Sequence, residues 1–307
     1  MTSLLTLISR SLRRAILPGL IFLITFLIFV TTRHLQLISS RCPNRRPKLL
    51  SRTRNGDAGG DHAGGSRAAP PDFYLFVLGS GGHTKEMLMM MDDGFCDVAN
   101  VHRRYLVSSG DAVSRHQVAD YEHSLALLCA QHGSDSSRGR DKDKNTHTEG
   151  DADAEGDSLG SSGSHDVVTV SRARRIHQPL WSTPLTALAS ILDILPALLT
   201  PPPNYRRGGR SPRFPSIVFS NGPGTGFAVA LAVHLIKMFY VVPEGCMKFV
   251  YIESWARIST LSLTGRLLYH MGLADVFVTQ HQEVADRYGL FNAGEMVFNS
   301  RREDPPR

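Results

Sequence analysis

This 307-residue chain has little of what a covalent framework or a metal site needs. Its four cysteines, Cys42, Cys96, Cys129 and Cys246, are scattered and form no CxxC pair. That excludes a disulfide scaffold and a cysteine-based zinc finger, and it predicts reduced thiols facing a cytosolic milieu. HExxH is absent, and no His, Cys or carboxylate spacing suggests a metal. GxxxxGK[ST] is also absent, so the chain has no Walker-type P-loop. Residues 132–165 lack Val, Ile, Phe, Tyr, Trp and Met and hold one Leu. Such a stretch cannot bury enough apolar surface to offset its ordering entropy and is expected to be a disordered insertion. Residues 41–71, rich in Arg, Gly, Pro and Asp, are likewise poor core material. Roughly 190 residues remain, enough for one domain rather than two.

Charge is present in excess of one sign, with 34 Lys and Arg against 28 Asp and Glu. Much of the excess follows an uncharged run, residues 15–32, AILPGLIFLITFLIFVTT. Eighteen such residues approach the length of a helix that crosses a hydrocarbon core of about 30 Å. The run is longer than the apolar core of a cleaved signal peptide, so a retained transmembrane helix is expected. Arg10, Arg13 and Arg14 precede it; Arg33, Arg41, Arg45, Arg46, Lys48, Arg52 and Arg54 follow. The heavier cluster predicts that the body of the chain faces the cytosol. Its place beside an apolar span fits anionic lipid headgroups better than nucleic acid.

The body alternates. Short apolar runs at 73–78, 105–107, 167–170, 216–220, 248–253 and 275–280 are separated by helix-length segments. This pattern predicts an α/β fold, a doubly wound, mostly parallel sheet of Rossmann-like type. Residues 185–199 and 226–242 are unusually apolar and read either as buried crossover helices or as helices lying at a bilayer surface. Ligands of such sheets bind beyond the carboxyl ends of the strands, where the glycine-rich stretches fall.

Gly79-Ser80-Gly81-Gly82-His83-Thr84 joins the first strand to a helix. Glycines allow a tight turn and close backbone approach, and the helix N-terminus beyond suits a phosphate. Asn221-Gly222-Pro223-Gly224-Thr225-Gly226 repeats that build after the fourth strand, although Thr225 or Asn221 would also serve as a helix cap. An imidazole suits proton transfer from a sugar hydroxyl, which makes His83 a candidate base; packing or phosphate binding is the structural alternative. Glu253 ends the fifth strand, where a charge has little structural reason to follow FVYI, and is the other candidate base.

LGSGGHTKEM, SRARRIHQ, SNGPGTG and YIESWARISTLSLTGRLLY resemble the membrane-anchoring subunit of the two-part UDP-GlcNAc transferase of eukaryotic N-glycan assembly. The resemblance runs from about Phe73 to Gln280. It implies the acceptor half of a GT-B glycosyltransferase, similar to the bacterial enzyme that adds GlcNAc to lipid II precursors. A separate cytosolic subunit would bind UDP-GlcNAc. Together they would add the second GlcNAc to GlcNAc-diphosphodolichol at the cytosolic face of the endoplasmic reticulum membrane, inverting the anomeric centre without a bound metal or other cofactor. By position, the resemblance assigns Ser80, Gly81, Gly82, His83 and Thr84 to the first loop and Asn221, Gly222, Pro223, Gly224 and Thr225 to the second. It places Glu253, Ser254 and Arg257 in the last motif, and offers Arg172 and Arg174 to the acceptor diphosphate. The tail departs from the family's usual pattern: His281 follows Gln280, and Gly289 follows Tyr288.

The expected organisation is a flank at 1–14, the span at 15–32 and a basic flexible linker at 33–71. An acceptor-binding domain at 72–295 carries the insertion 132–165, and 296–307 form a tail. Two other readings stay open here. One is a non-catalytic membrane recruiter. The other is a membrane-tethered dinucleotide oxidoreductase, in which Gly79 and Gly81 begin a fingerprint whose third glycine is replaced by Thr84, with Asp111 as the ribose-binding acid.

Overall fold

The computed structural model describes residues 2–41, 72–91, 101–140, 162–173, 183–203, 212–243, 245–294 and 296. The elements in chain order are α1 (Thr2–Ser39), β1 (Asp72–Val77), α2 (Gly81–Met90), β2 (Val101–Ser108), α3 (Ala112–Arg140), β3 (Ser164–Val170) and α4 (Thr183–Leu199). They continue with β4 (Ile217–Ser220), α5 (Thr225–Phe239), β5 (Lys248–Ile252), α6 (Leu263–Met271), β6 (Val276–Thr279), α7 (Gln282–Tyr288) and β7 (Phe291–Asn292). The strands form one sheet in the order β3-β2-β1-β4-β5-β6-β7, and every pairing is parallel. The doubly wound α/β expectation therefore holds. The order of winding reverses between β1 and β4, since β2 and β3 are added on one side of β1 and β4 to β7 on the other, and this is the position where ligands of such sheets bind.

Apolar side chains pack on both faces. One cluster joins Val77, Val218 and Phe249 of the sheet to Ile194 of α4, Val229 and Val233 of α5 and Leu268 of α6. The other joins Phe76, Tyr105 and Phe219 to Met87 of α2 and Val118 and Tyr121 of α3. Burial on both sides is why the central strands read as unbroken apolar runs. Of the two apolar helices, α5 is largely a core element. By contrast, α4 buries Ile191, Ile194 and Leu198 but leaves Leu185, Leu188 and Leu192 exposed.

Several boundaries differ from the sequence reading. β2 begins at Val101 and buries His102, Arg103 and Arg104, which a pattern of apolar residues misses. Arg103 donates to both oxygens of Glu122, at 2.8 and 2.7 Å, and Arg104 to Asp166 and the carbonyls of Ala197 and Thr200. Burial would raise the Glu122 carboxyl, but its bonds to Arg103 and Tyr105 hold it below the usual range. β3 starts at Ser164, ahead of the expected 167, because an edge strand alternates polar and apolar residues. α3 runs to Arg140, so the stretch expected to be disordered begins and ends inside regular elements. β7, two residues long, is too short to show a period.

The first helix changes most. Ile16–Ser39 is long and apolar enough to cross a membrane, the one such helix among the described residues. It extends through residues 33–39, expected as linker, and fastens to the domain. Arg33 donates to the Lys237 carbonyl at 3.2 Å, and His34 Nδ1 meets His234 Nε2 at 2.9 Å. Arg41 is buried and bridges Asp275, the Gly272 carbonyl and His234 Nδ1. A guanidinium only donates, so His234 accepts at Nδ1 and carries its proton on Nε2. Burial and the Arg41 charge push His234 down to about 4, so it is neutral at physiological pH. Two of the basic residues assigned to lipid headgroups, Arg33 and Arg41, are thus spent inside the protein. Cys129 and Cys246 are free thiols; Cys42 and Cys96 lie outside the described residues.

Candidate functional site

β1 and β4 are neighbours, with Val77 opposite Ser220, so the two glycine loops leave the sheet side by side. They touch through backbone. A Cβ on Gly222 would lie 2.9 Å from the Gly79 Cα, and a Cβ on Gly79 would lie 3.2 Å from the Gly222 Cα. No side chain fits between them, which is the physical reason for glycine at both positions. Gly224 sits at φ +45 with open space around it and opens α5.

Neither helix start is capped. Ser80 precedes α2 in an extended conformation and makes no side-chain cap, and Gly224 has no side chain to offer. The opening amides of two helices, each carrying a partial positive charge, thus stand together at the reversal of the sheet. Ser80, Gly82, Pro223 and Gly224 are exposed there, and Gly81 and His83 are half-buried.

The remaining loop residues face inward. The buried Thr84 hydroxyl donates to the Gly79 carbonyl at 3.0 Å and contacts Ser114 at 2.7 Å. Thr225 pairs with the Ser108 hydroxyl at 3.0 Å, and Asn221 donates from Nδ2 to the His83 carbonyl at 2.9 Å. These side chains shape the loops from behind. Asn221 does tie the loops together, but neither it nor Thr225 caps α5. Among the described residues, five buried side-chain atoms have no hydrogen-bond partner: His83 Nδ1, Ser220 Oγ, Asn221 Oδ1 and Gln280 Oε1 at or just beyond strand ends, and Gln117 Oε1 on α3.

Glu253 is placed differently from the expectation. It is 1% exposed, and its carboxylate accepts from the Ser262 amide at 3.1 Å, the Ser262 hydroxyl at 3.2 Å and the Ser254 amide at 3.3 Å. Ser262 in turn caps α6 through Gly265 N at 2.9 Å. The carboxylate fills the space beside Gly265, where a Cβ would meet Oε2 at 2.1 Å. Burial raises its pKa, against the opposing bonds from Ser262 and Ser254. The carboxyl so enclosed ties Ser254 to the start of α6.

The residue that gathers this corner is Glu86, which sequence reasoning missed. It accepts from the Trp255 amide at 2.5 Å, Gln280 Nε2 at 3.0 Å and the Ser254 hydroxyl at 3.1 Å. His83 Nδ1 stands 3.5 Å from its Oε2, in ion-pair range but longer than an ordinary hydrogen bond. Burial would raise the Glu86 carboxyl, but the His83 ring and these donors outweigh it and hold it below the usual range. The signal was available: residues three apart on a helix share a face, and His83 and Glu86 are so spaced.

The arginines are dispersed. Arg172 is half-buried beyond β3, two strand spacings or about 10 Å from β1. Arg174 lies outside the described residues. Arg257 is exposed after β5. Asp111 binds back to the first turn of α3: its oxygens accept from Ser114, the amide at 3.0 Å and the hydroxyl at 2.7 Å. Among the described residues no group of three His, Cys, Asp or Glu could hold a metal ion.

A family profile described as "Oligosaccharide biosynthesis protein Alg14 like" matches residues 74–293. Among curated proteins, the chain is 27% identical over 214 residues to a protein of Debaryomyces hansenii, covering 70% of this chain and 71% of the relative. A Rattus norvegicus protein is 28% identical over 214 residues, 70% of this chain and 77% of the relative. One from Schizosaccharomyces pombe is 28% identical over 227 residues, 73% and 82% respectively. All three carry the name UDP-N-acetylglucosamine transferase subunit ALG14. No solved structure matches.

Proposed function

Because the chain belongs to the Alg14-like family of oligosaccharide biosynthesis proteins, we propose that it is the membrane-anchored, acceptor-binding subunit of a two-subunit UDP-GlcNAc transferase. α1 anchors it in the endoplasmic reticulum membrane with residues 72–295 on the cytosolic side, and residues 42–71 link the two. A cytosolic subunit recruited to this domain presents UDP-GlcNAc across a cleft. The acceptor is GlcNAc-diphosphodolichol, which receives the second GlcNAc.

One observation carries this reading: two uncapped helix N-termini lie together at the point where the sheet reverses. A diphosphate is the acceptor group that such a pair of positive ends suits. Gly81, Gly82 and Gly224 let it approach the backbone, with Ser80 and Pro223 at the margin. Thr84, Asn221, Gly222 and Thr225 hold the loops in shape. Arg172, Arg174 and Arg257 supply longer-range positive charge. A donor site needs a second doubly wound unit, and the described residues form one sheet.

Within this reading His83 is the base. A proton on Nδ1 directed at Glu86 leaves the Nε2 lone pair for the acceptor's 4-hydroxyl. As that oxygen bonds to C1 of the donor sugar, its proton passes to Nε2. The bond from C1 to the UDP oxygen breaks on the opposite face, and UDP leaves with the electron pair. Glu253 and Ser254 position the corner and take no proton.

Co-expression with a nucleotide-binding partner, followed by assay on a GlcNAc-diphospholipid, tests it. The wild-type pair should make the disaccharide lipid, and His83→Ala should lower the rate by roughly 10²–10⁴-fold without loss of the complex. A stable pair that transfers no sugar would falsify the enzymatic reading. An unimpaired His83→Ala pair would leave a recruiter without chemistry in this chain.

A further inference from the structure

We infer that the turn closing α5, Phe239-Tyr240-Val241, is a second membrane contact, seated in the bilayer beside α1. The inference rests on reading α1 as a membrane span. The contacts between the two helices run in opposite order along them. His34 meets His234, Arg33 meets Lys237, and Phe29 and Phe26 both meet Phe239. α5 therefore points its C-terminal end toward the middle of the apolar run. The Phe26 ring stacks on Phe239 at 6.3 Å with 6° between planes, and Phe29 lies 6.4 Å from the same ring.

Depth follows from helix geometry. Phe29 and Phe26 lie four and seven residues before Arg33, the first charge after the run. At 1.5 Å per residue that is about 6 and 10 Å further into the bilayer. A ring stacked on both cannot stand in water while they stand in hydrocarbon.

The surface of the turn fits that position. Phe239 is 54% exposed and Val241 89%, and no charge occurs from Phe239 to Pro243. The Arg213 guanidinium lies 5.4 Å from the centre of the Tyr240 ring, an aromatic–cation pair suited to the headgroup layer. Among the described residues, the charges where α1 and α5 meet are tied to protein partners: Lys237 to Asp275 at 2.7 Å, Asp275 to Arg41, and Arg33 to a carbonyl; Glu244, three residues past Val241, lies outside the described residues. Paired charge beneath exposed apolar side chains is what the boundary of a bilayer demands. α5 begins at the rim, so the glycine junctions stand no more than about 22 Å, the length of fifteen helical residues, from this contact.

Tryptophan quenching in lipid nanodiscs tests the inference. In the full chain with Trp181→Phe and Trp255→Phe, one reporter is introduced at a time, Val241→Trp or Phe26→Trp. Both should lose emission when the acyl chains carry bromine, and Val241→Trp should resist aqueous iodide. Bromolipid quenching at position 26, with iodide quenching alone at 241, would overturn the second contact and leave α1 as a span. Absence of bromolipid quenching at both positions would overturn the span and the contact together.

Discussion

At the β1/β4 corner the amides that open α2 and α5 have no side-chain cap, whereas at the β5 corner Ser262 caps α6 and Glu253 closes over Ser262. The two corners share a rim and a strand-to-helix design, yet only the first leaves its positive helix ends for an outside group. The second has filled its own demand with a carboxylate. At α5 the cap position is Gly224, which has no side chain to offer, and at α2 it is Ser80, whose hydroxyl makes no cap. On the proposed function, the binding surface is the corner whose helix ends lack a side-chain cap, and the supporting corner is the one capped internally.

The comparison breaks most sharply at Gly222. Gly222→Ala puts a methyl 2.9 Å from the Gly79 backbone and should destabilise the domain by roughly 1–3 kcal/mol or more, read from denaturant unfolding in detergent. Unchanged stability would mean that the loops do not touch. At the other corner, Glu86→Ala strips the acceptor from Ser254, Trp255 and Gln280 and should cost about 1–3 kcal/mol. It should also lower transfer activity through His83, while Glu86→Gln recovers part of the stability.

Acid titration separates the two carboxylates by sign. The folded pKa of Glu86 is depressed, so its stabilisation is present above the unfolded value near 4.5 and is lost as pH falls through the folded value. The folded pKa of Glu253 is raised, so its ionisation weakens the fold as pH rises from that same unfolded value through the raised one. Glu86→Gln should therefore flatten the loss of stability on acidification, and Glu253→Gln should steepen it. Equal slopes for both would contradict the placement of Glu253. The smallest effect is expected at Gly82, which faces open space on an exposed first turn. Gly82→Ala should change stability by less than about 1 kcal/mol while weakening retention of a diphospholipid.

The strand alternation and the uncharged run were readable because both are local. A parallel strand buried on two faces is a short apolar word, and a span is a long one. β2 escaped in part because His102, Arg103 and Arg104 are buried against partners, among them Glu122 and Asp166, that no window of sequence brings near. The setting of Glu253 was hidden for a related reason. A lone charge after FVYI looks functional until Ser262, nine residues on, is seen to fold back onto it. Glu86 passed unnoticed because a carboxylate on a helix is ordinarily solvated, and the groups that make it a hub come from the ends of β5 and β6.

Sequence alone determined that this protein has an apolar run long enough for a membrane-crossing helix, an alternating α/β body and glycines at two strand ends, since composition and periodicity act over a few residues. Only the tertiary structure decided that β1 and β4 are adjacent, so that two loops some 140 residues apart abut at Gly79 and Gly222. It also decided that the first helix is clasped by α5 through His34 and His234. Strand order and side-chain pairing across such separations come from packing the whole core, which no local pattern encodes.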